Sequence, residues 1–154
     1  LTDGGLFYDD HGNESKRFHV RDGFAMKAAM RAGIKVAVLT GRTSGVVHHR
    51  MTELGVDALV QGSGDKGKDF DDICRELGVA PEHACYIGDD LIDMPAMRRS
   101  GYGIAVADAD PELLSRADWV TTRRGGQGAV REAIEHIMGA RGLWEQVVKK
   151  YDLM

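Results

Sequence analysis

Asp89, Asp90 and Asp93 fall within the stretch YIGDDLIDMP, directly after the apolar run Ala84 to Ile87. Unpaired carboxylates are expensive to bury. A hard cation would compensate them, above all Mg²⁺, which takes few carboxylates and keeps several waters. A helix start would also do so. Two more reactive groups follow apolar runs: Thr40 in VLTGR, and Lys66 soon after DALV. A hydroxyl, helix-start N–H groups and a lysine suit phosphate oxygens. Phosphate and Mg²⁺ together point to phosphoryl transfer by positioning and charge neutralisation. Taken singly, Thr40 serves equally as a helix cap, Lys66 is an ordinary surface lysine, and the aspartates are helix-capping residues. Their joint placement after successive apolar runs carries the reading.

The elements that must position these groups alternate. Leu6 to Tyr8 and the segment from Arg17 to Val20 read as the strands of a β-hairpin around DDHGNES, with Gly12 and Asn13 as turn formers. A helix is predicted over 22–32, with Asp22 as its N-cap and Gly33 as its stop. IKVAVLT (34–40) reads as a strand buried on both faces. Further helices are expected near 44–54, 65–77, 91–99, 111–115 and 127–139, and strands at 57–60, 84–87, 102–106 and 118–120. This alternation predicts an α/β fold: a Rossmann-like, doubly wound parallel sheet with helices on both faces. No repeat, low-complexity tract or linker divides the chain, so residues 1–154 read as one domain without a large cap. Ligands of such sheets bind beyond the carboxyl ends of the strands, where Thr40, Lys66 and Asp89 are expected to meet.

Composition excludes other classes. The chain has 154 residues, 43% hydrophobic and 29% charged, with 20 Lys+Arg against 24 Asp+Glu. With a net charge of -4, no basic field attracts nucleic acid or an anionic membrane. No apolar run reaches the roughly 18 residues of a membrane span. Cys74 and Cys85 lie in apolar patterns and read as free thiols, which suits a reducing cytoplasm. His48 and His49 are adjacent, so on a helix they diverge and do not make a metal pair.

The motifs VLTGR, the isolated Lys66 and YIGDDLIDMP resemble motifs two to four of the haloacid dehalogenase superfamily. LTDGGLFY, FHVRDGFAMK, GDDLIDMPAM, AVADAD and GGQGAVRE resemble, over nearly the whole chain, the capless 3-deoxy-D-manno-octulosonate 8-phosphate phosphatase family. The resemblance implies a Mg²⁺-dependent phosphatase of a small sugar-acid phosphate, serving lipopolysaccharide precursor synthesis in the cytoplasm as a homotetramer. It implies that Asp89 ligates Mg²⁺, Thr40 holds the transferring phosphoryl group and Lys66 neutralises it. Substrate contacts fall to His19, Val20, Arg21, Asp22, Gly23, Lys27, Arg42 and Arg50, besides Lys66. Asp90 and Asp93 would orient waters and cap the helix behind Asp89. GGQGAV (125–130) would belong to a region near the mouth of the site.

The family's first motif, Asp-x-Asp at a strand end, would precede LTDGG and so lie ahead of Leu1. It carries the nucleophile and the general acid. Asp3 matches a different aspartate of the family, and Asp9 and Asp10 fall in the hairpin turn. The expectation is a working protein with on the order of ten more residues before Leu1, enough for a strand. That strand would lie between those leading into TGR and GDD. The 154 residues alone are expected to be inactive and poorly folded. A nine-carbon sialic-acid-type 9-phosphate phosphatase and a non-catalytic oligomerisation module stay open. A flavodoxin-like phospho-acceptor domain also uses clustered aspartates, but the hairpin, the RDG segment and the motif order argue against it.

Overall fold

Strand and helix alternate through residues 1–154, all of which are described by a computed structural model. The chain opens with the hairpin β1 (Phe7–Tyr8) and β2 (Glu14–Ser15), antiparallel with Phe7 opposite Ser15. The second strand is therefore Glu14–Ser15, not Arg17 to Val20. Asp9 shortens the turn: its carboxylate accepts from the backbone of His11 and Asn13, and that closure brings Glu14 opposite Tyr8.

Helix α1 spans Val20–Arg31, and its N-cap is His19, whose Nδ1 accepts from the N–H of Arg21 at 3.2 Å. Asp22 is not the cap. It lies inside the first turn and is 1% exposed. The next helices are bounded by local caps. In α2 (Gly45–Leu54), Ser44 accepts from Val47 N–H and Gly55 closes the helix at φ 73°. In α3 (Lys66–Leu77), Asp65 caps the start, and Phe70, Ile73 and Cys74 bury one face. Positive φ at Gly55 is the left-handed conformation that glycine adopts without a Cβ penalty.

The sheet departs from expectation. Strand β3 (Ala37–Leu39) pairs in parallel with β4 (Ala58–Val60). Strand β5 (Cys85–Gly88) pairs in parallel with β6 (Tyr102–Ala105), which pairs in parallel with β7 (Trp119–Val120). The two groups are separate: β3 has β4 as its one partner and β5 has β6. The apolar run 34–40 is thus not buried on both faces. Ala37 is exposed and Val38 and Leu39 are half-buried, because one edge of β3 has no neighbour. The fold class is nonetheless α/β, with parallel strands joined by helical crossovers and no large cap.

After β5 a 3₁₀ turn (Leu91–Asp93) leads into α4 (Met94–Arg99), so the expected helix begins with a tighter turn and carries Pro95 in its first α-turn. Then come α5 (Pro111–Leu114), α6 (Ala129–Gly139) and α7 (Leu143–Asp152). Two cores result. One gathers α1, α2 and α6 around Met26, Met51, Ile134 and Met138. The other gathers α3, α4 and α5 against β5 and β6 around Phe70, Tyr86, Met97 and Leu113. Fully burying a side chain such as Met51 or Leu113 contributes about 1.5–3 kcal/mol. Trp144 and Val147 of α7 pack against the first core, whereas Val148 is exposed. Cys74 is buried and Cys85 half-buried, and both are free thiols. Burial pushes the Cys85 thiol up to about 12, so it stays protonated. No helix is long and apolar enough to cross a membrane.

Candidate active site

Helices that run back between parallel strands begin at the strands' carboxyl ends, so strand ends and helix starts share one rim. Contacts along this rim are continuous. Thr40 follows β3, and its carbonyl accepts from Ser63 N–H at 3.1 Å. Ser63 belongs to the loop leading to Lys66. Lys66 Nζ donates to Asp93 Oδ1 at 2.5 Å. The Asp89 carbonyl accepts from Asp110 N–H at 2.8 Å, and Asp108 Oδ1 accepts from Gly125 N–H at 2.7 Å. From the glycine turn the path reaches α6, where Arg131 N–H donates to Asp22 Oδ1 at 2.8 Å.

Asp93 organises the acidic cluster. Its side chain is 3% exposed. Oδ1 accepts from Lys66 and from the Tyr86 hydroxyl, the latter at 2.6 Å. Oδ2 accepts from the backbone N–H of Asp89 at 2.9 Å and of Asp90 at 3.1 Å. Burial alone would raise its pKa. The hydrogen bonds from Lys66, Tyr86 and the Asp89 amide outweigh burial and hold it below the ordinary carboxylate range. Asp93 therefore tolerates burial through four donors. Burial, and then the Asp93 carboxylate, push the Tyr86 phenol upward, so it stays a donor.

Asp89 has a different role. The residue is exposed, and its carboxyl is not among those holding the loop together. The surrounding wall, then the Asp93 carboxyl, push its pKa up. A carboxylate disfavoured in this way has room for a cation as its counter-charge. Asp90 Oδ1 instead accepts from Leu91 N–H at 2.7 Å, at the start of the 3₁₀ turn. No group of three or more His, Cys, Asp or Glu side chains converges to form a full cage. The donor set fits a hard cation that keeps most of its waters, with Asp89 as one ligand.

The other expected residues divide. Thr40 Oγ1 accepts from Arg42 N–H at 3.3 Å, so its own proton is free for an oxyanion. Arg42 Nη2 donates to the Tyr8 hydroxyl at 2.7 Å and to Glu14 Oε1 at 3.3 Å, which holds the hairpin over the strand ends. The guanidinium of Arg50 pairs with Glu53 and lies against Gly23, where any Cβ would collide with it. His19 spends Nδ1 on its cap and presents Nε2. Val20 is exposed, Arg21 is exposed and Lys27 is half-buried, at or near the start of α1.

The sequence gives no sign of three further residues. Tyr86 lies in an apolar strand run, yet its hydroxyl holds Asp93. Glu14 lies in a polar turn, yet its carboxylate accepts from Ser44 Oγ at 2.5 Å and ties the hairpin to α2. Glu132 lies in α6, yet it accepts from the backbone N–H of Thr122 and Arg123. No periodicity or spacing signals such partners.

Residues 56–134 match the model of the haloacid dehalogenase-like hydrolases. The chain is 44% identical to the 3-deoxy-D-manno-octulosonate 8-phosphate phosphatase KdsC of Escherichia coli K12 over 142 residues, 92% of this chain and 76% of that one. Among solved structures, it superposes on the 3-deoxy-D-manno-octulosonate 8-phosphate phosphatase of Moraxella catarrhalis in complex with magnesium, phosphate and KDO, with a TM-score of 0.95 and 38% identity, covering 98% of this chain and 87% of that one. The cobalt-bound phosphatase of Haemophilus influenzae gives a TM-score of 0.89 at 42% identity, covering 92% and 83%.

Proposed function

We propose, for a chain that belongs to the 3-deoxy-D-manno-octulosonate 8-phosphate phosphatase family of the haloacid dehalogenase-like hydrolases, that it releases phosphate from 3-deoxy-D-manno-octulosonate 8-phosphate. The observation that carries this reading is the Lys66–Asp93 pair held beside Asp89, on the rim that also bears Thr40. Lys66 is aimed rather than free, and a fixed positive charge in a poorly solvated site is what a transferring phosphoryl group requires.

Each group then has a task. The Thr40 hydroxyl and the backbone N–H groups beside it donate to phosphoryl oxygens. Lys66 neutralises the charge that those oxygens carry. Asp89 would hold a divalent cation, Mg²⁺ in this reading, which when bound supplies further charge neutralisation. Arg42 anchors the hairpin across the mouth of the site, so that the hairpin can limit the entry of water. The nucleophile is an aspartate on a strand that would occupy the slot between β3 and β5. Its carboxylate attacks phosphorus as the P–O bond to the sugar breaks, and a second aspartate gives the sugar oxygen its proton. Water then cleaves the aspartyl-phosphate, with the second aspartate taking the proton from that water. We place the enzyme in the cytoplasm, as a homotetramer joined through its hairpins, making a lipopolysaccharide precursor.

Phosphate release over a panel tests this reading, using the protein with its Asp-x-Asp strand. The panel holds eight-carbon and nine-carbon sugar-acid phosphates and neutral sugar phosphates. The eight-carbon acid should give the highest kcat/KM, with Mg²⁺ required. Preference for the nine-carbon acid would move the substrate, and no release from any member would reject the activity.

A further inference from the structure

Arg21, Arg123, Arg131 and Glu135 enclose a cavity of about 90 Å³ that no apolar side chain lines. The cavity lies between the first turns of α1 and α6, which the Asp22–Arg131 hydrogen bond joins. It is thus on the rim of the strand ends, beyond the glycine turn that Asp108 holds.

Its charges do not cancel. The one lining carboxylate, Glu135, is taken by the Nε of Arg131. Arg131 cannot swing away, because its guanidinium sits 4.6 Å from the Trp144 ring centroid and 5.3 Å from that of Phe24. Arg21 and Arg123 then face the cavity with no carboxylate of their own among its walls. Asp22 is buried, its Oδ1 accepts from the Arg131 amide and its Oδ2 has no hydrogen-bond partner, so it does not pair with Arg123. Arg123 is held in place from below. Glu132 accepts from its backbone N–H at 2.9 Å and from that of Thr122, which fixes the loop that presents the side chain. The positive ends of two helix dipoles add to the same field. Converging guanidinium groups repel one another unless an anion lies between them, and their planar forks match an oxyanion with paired N–H donors.

We propose that this cavity is an oxyanion subsite, and that the anion it takes is the carboxylate of the sugar acid whose phosphate is held at Thr40 and Lys66. The proposal rests on the sugar-acid phosphatase reading and deepens it. It assigns to Arg123 and Arg131 the task of choosing acidic over neutral sugar phosphates. The same chemistry would accept free orthophosphate, so the test separates the two sources.

Arg123→Gln is the variant to make, because Arg123 is exposed whereas Arg131 packs between two rings. In the protein with its Asp-x-Asp strand, the preference for the sugar-acid phosphate over ribose 5-phosphate, taken as a ratio of kcat/KM, should fall about tenfold or more, the scale of a lost hydrogen bond to a charged group. The fall should lie mainly in KM, and Arg123→Lys should restore part of it. Thermal shift with orthophosphate forms the second arm, with Lys66→Ala as background to weaken the phosphoryl site. If selectivity holds but the remaining phosphate-dependent rise in Tm is lost when Arg123→Gln is added, the cavity takes free phosphate, and the sugar-carboxylate assignment is overturned. If neither selectivity nor Tm responds, the subsite itself is overturned. The thermal arm needs no turnover, so failure of the phosphatase reading and failure of the subsite are told apart.

Discussion

Lys66 Nζ and Asp93 Oδ1 stand 2.5 Å apart across 27 residues of sequence, with side chains only 9% and 3% exposed. Breaking a buried pair by removing one partner costs about 3–5 kcal/mol, because the other charge stays behind. Asp93→Asn should therefore lower stability on that scale and lower kcat as well, since Lys66 loses its aim. The pH sign follows from the lowered pKa of Asp93. Its stabilisation is present above the ordinary carboxylate value of 3.8 and is lost as pH falls through the lower folded value. In urea melts, the gap between native and variant should be full near neutrality and shrink below that value. An equal gap at all pH values would refute the assignment.

Asp89 should separate chemistry from folding, whereas Lys66 bears on both, because its removal leaves Asp93 buried without its cation. Asp89 is exposed and holds no loop together through its carboxyl, so Asp89→Asn should abolish metal-dependent phosphate release while Tm changes little. Lys66→Ala should cost roughly 10²-fold or more in kcat, the scale of one preorganised charge lost at a developing oxyanion. Near-full activity of both variants at saturating Mg²⁺ would remove these residues from the site.

The buried Asp22 carboxyl carries the opposite pH sign. Burial raises its pKa above the ordinary 3.8, and Oδ2 has no hydrogen-bond partner. Its ionisation costs no stability below that value, and the cost grows as pH rises through the raised folded pKa. Asp22→Asn keeps an acceptor for the Arg131 amide and removes the charge. Its stability relative to the native protein should rise over that window and level off above it. Asp22→Ala, which also removes the acceptor for the Arg131 amide, should be about 1 kcal/mol less stable than Asp22→Asn at every pH. A stability difference for Asp22→Asn that does not change with pH would show that the carboxyl is not buried as described.

The hairpin leaves Leu6, Phe7 and Tyr8 42%, 61% and 57% exposed. Adjacent apolar groups exposed to this degree mark an interface. Light scattering of the protein should give an oligomer, and Phe7→Ser should shift it towards smaller species at micromolar concentration. A monodisperse monomer before substitution would refute assembly through the hairpin.

The unpaired edges of β3 and β5 give the last test. Each strand has one edge without a strand partner, and unpaired buried backbone groups cost about 1–3 kcal/mol each. The 154 residues alone should release no phosphate and melt with low cooperativity. The same chain preceded by a strand ending in Asp-x-Asp should release phosphate and melt cooperatively. Activity of the shorter chain would return the search for a nucleophile to Asp3, Asp9 and Asp10.

What the sequence by itself determined was local in origin. Ser44 and Asp65 before their helices, and Gly55 and Gly78 after theirs, mark the boundaries, because caps and left-handed turns are settled within a few residues. The order of strand and helix follows from periodicity, and the rim position of Thr40, Lys66 and Asp89 follows from that order. Tertiary structure decided whatever depends on distant partners. His19 rather than Asp22 caps α1 because the Asp22 carboxylate is drawn to the start of α6, 109 residues away. β3 is half-exposed despite its apolar run, because burial of a strand depends on its neighbours and β3 has one. Asp93 is a buried anchor and Asp89 an exposed carboxylate, although they stand only four positions apart, because Lys66 and Tyr86 donate only to the first. The arginine cavity belongs to this second kind. Its walls come from α1, α6 and the loop before α6, and only their packing makes three separate positive charges into one site.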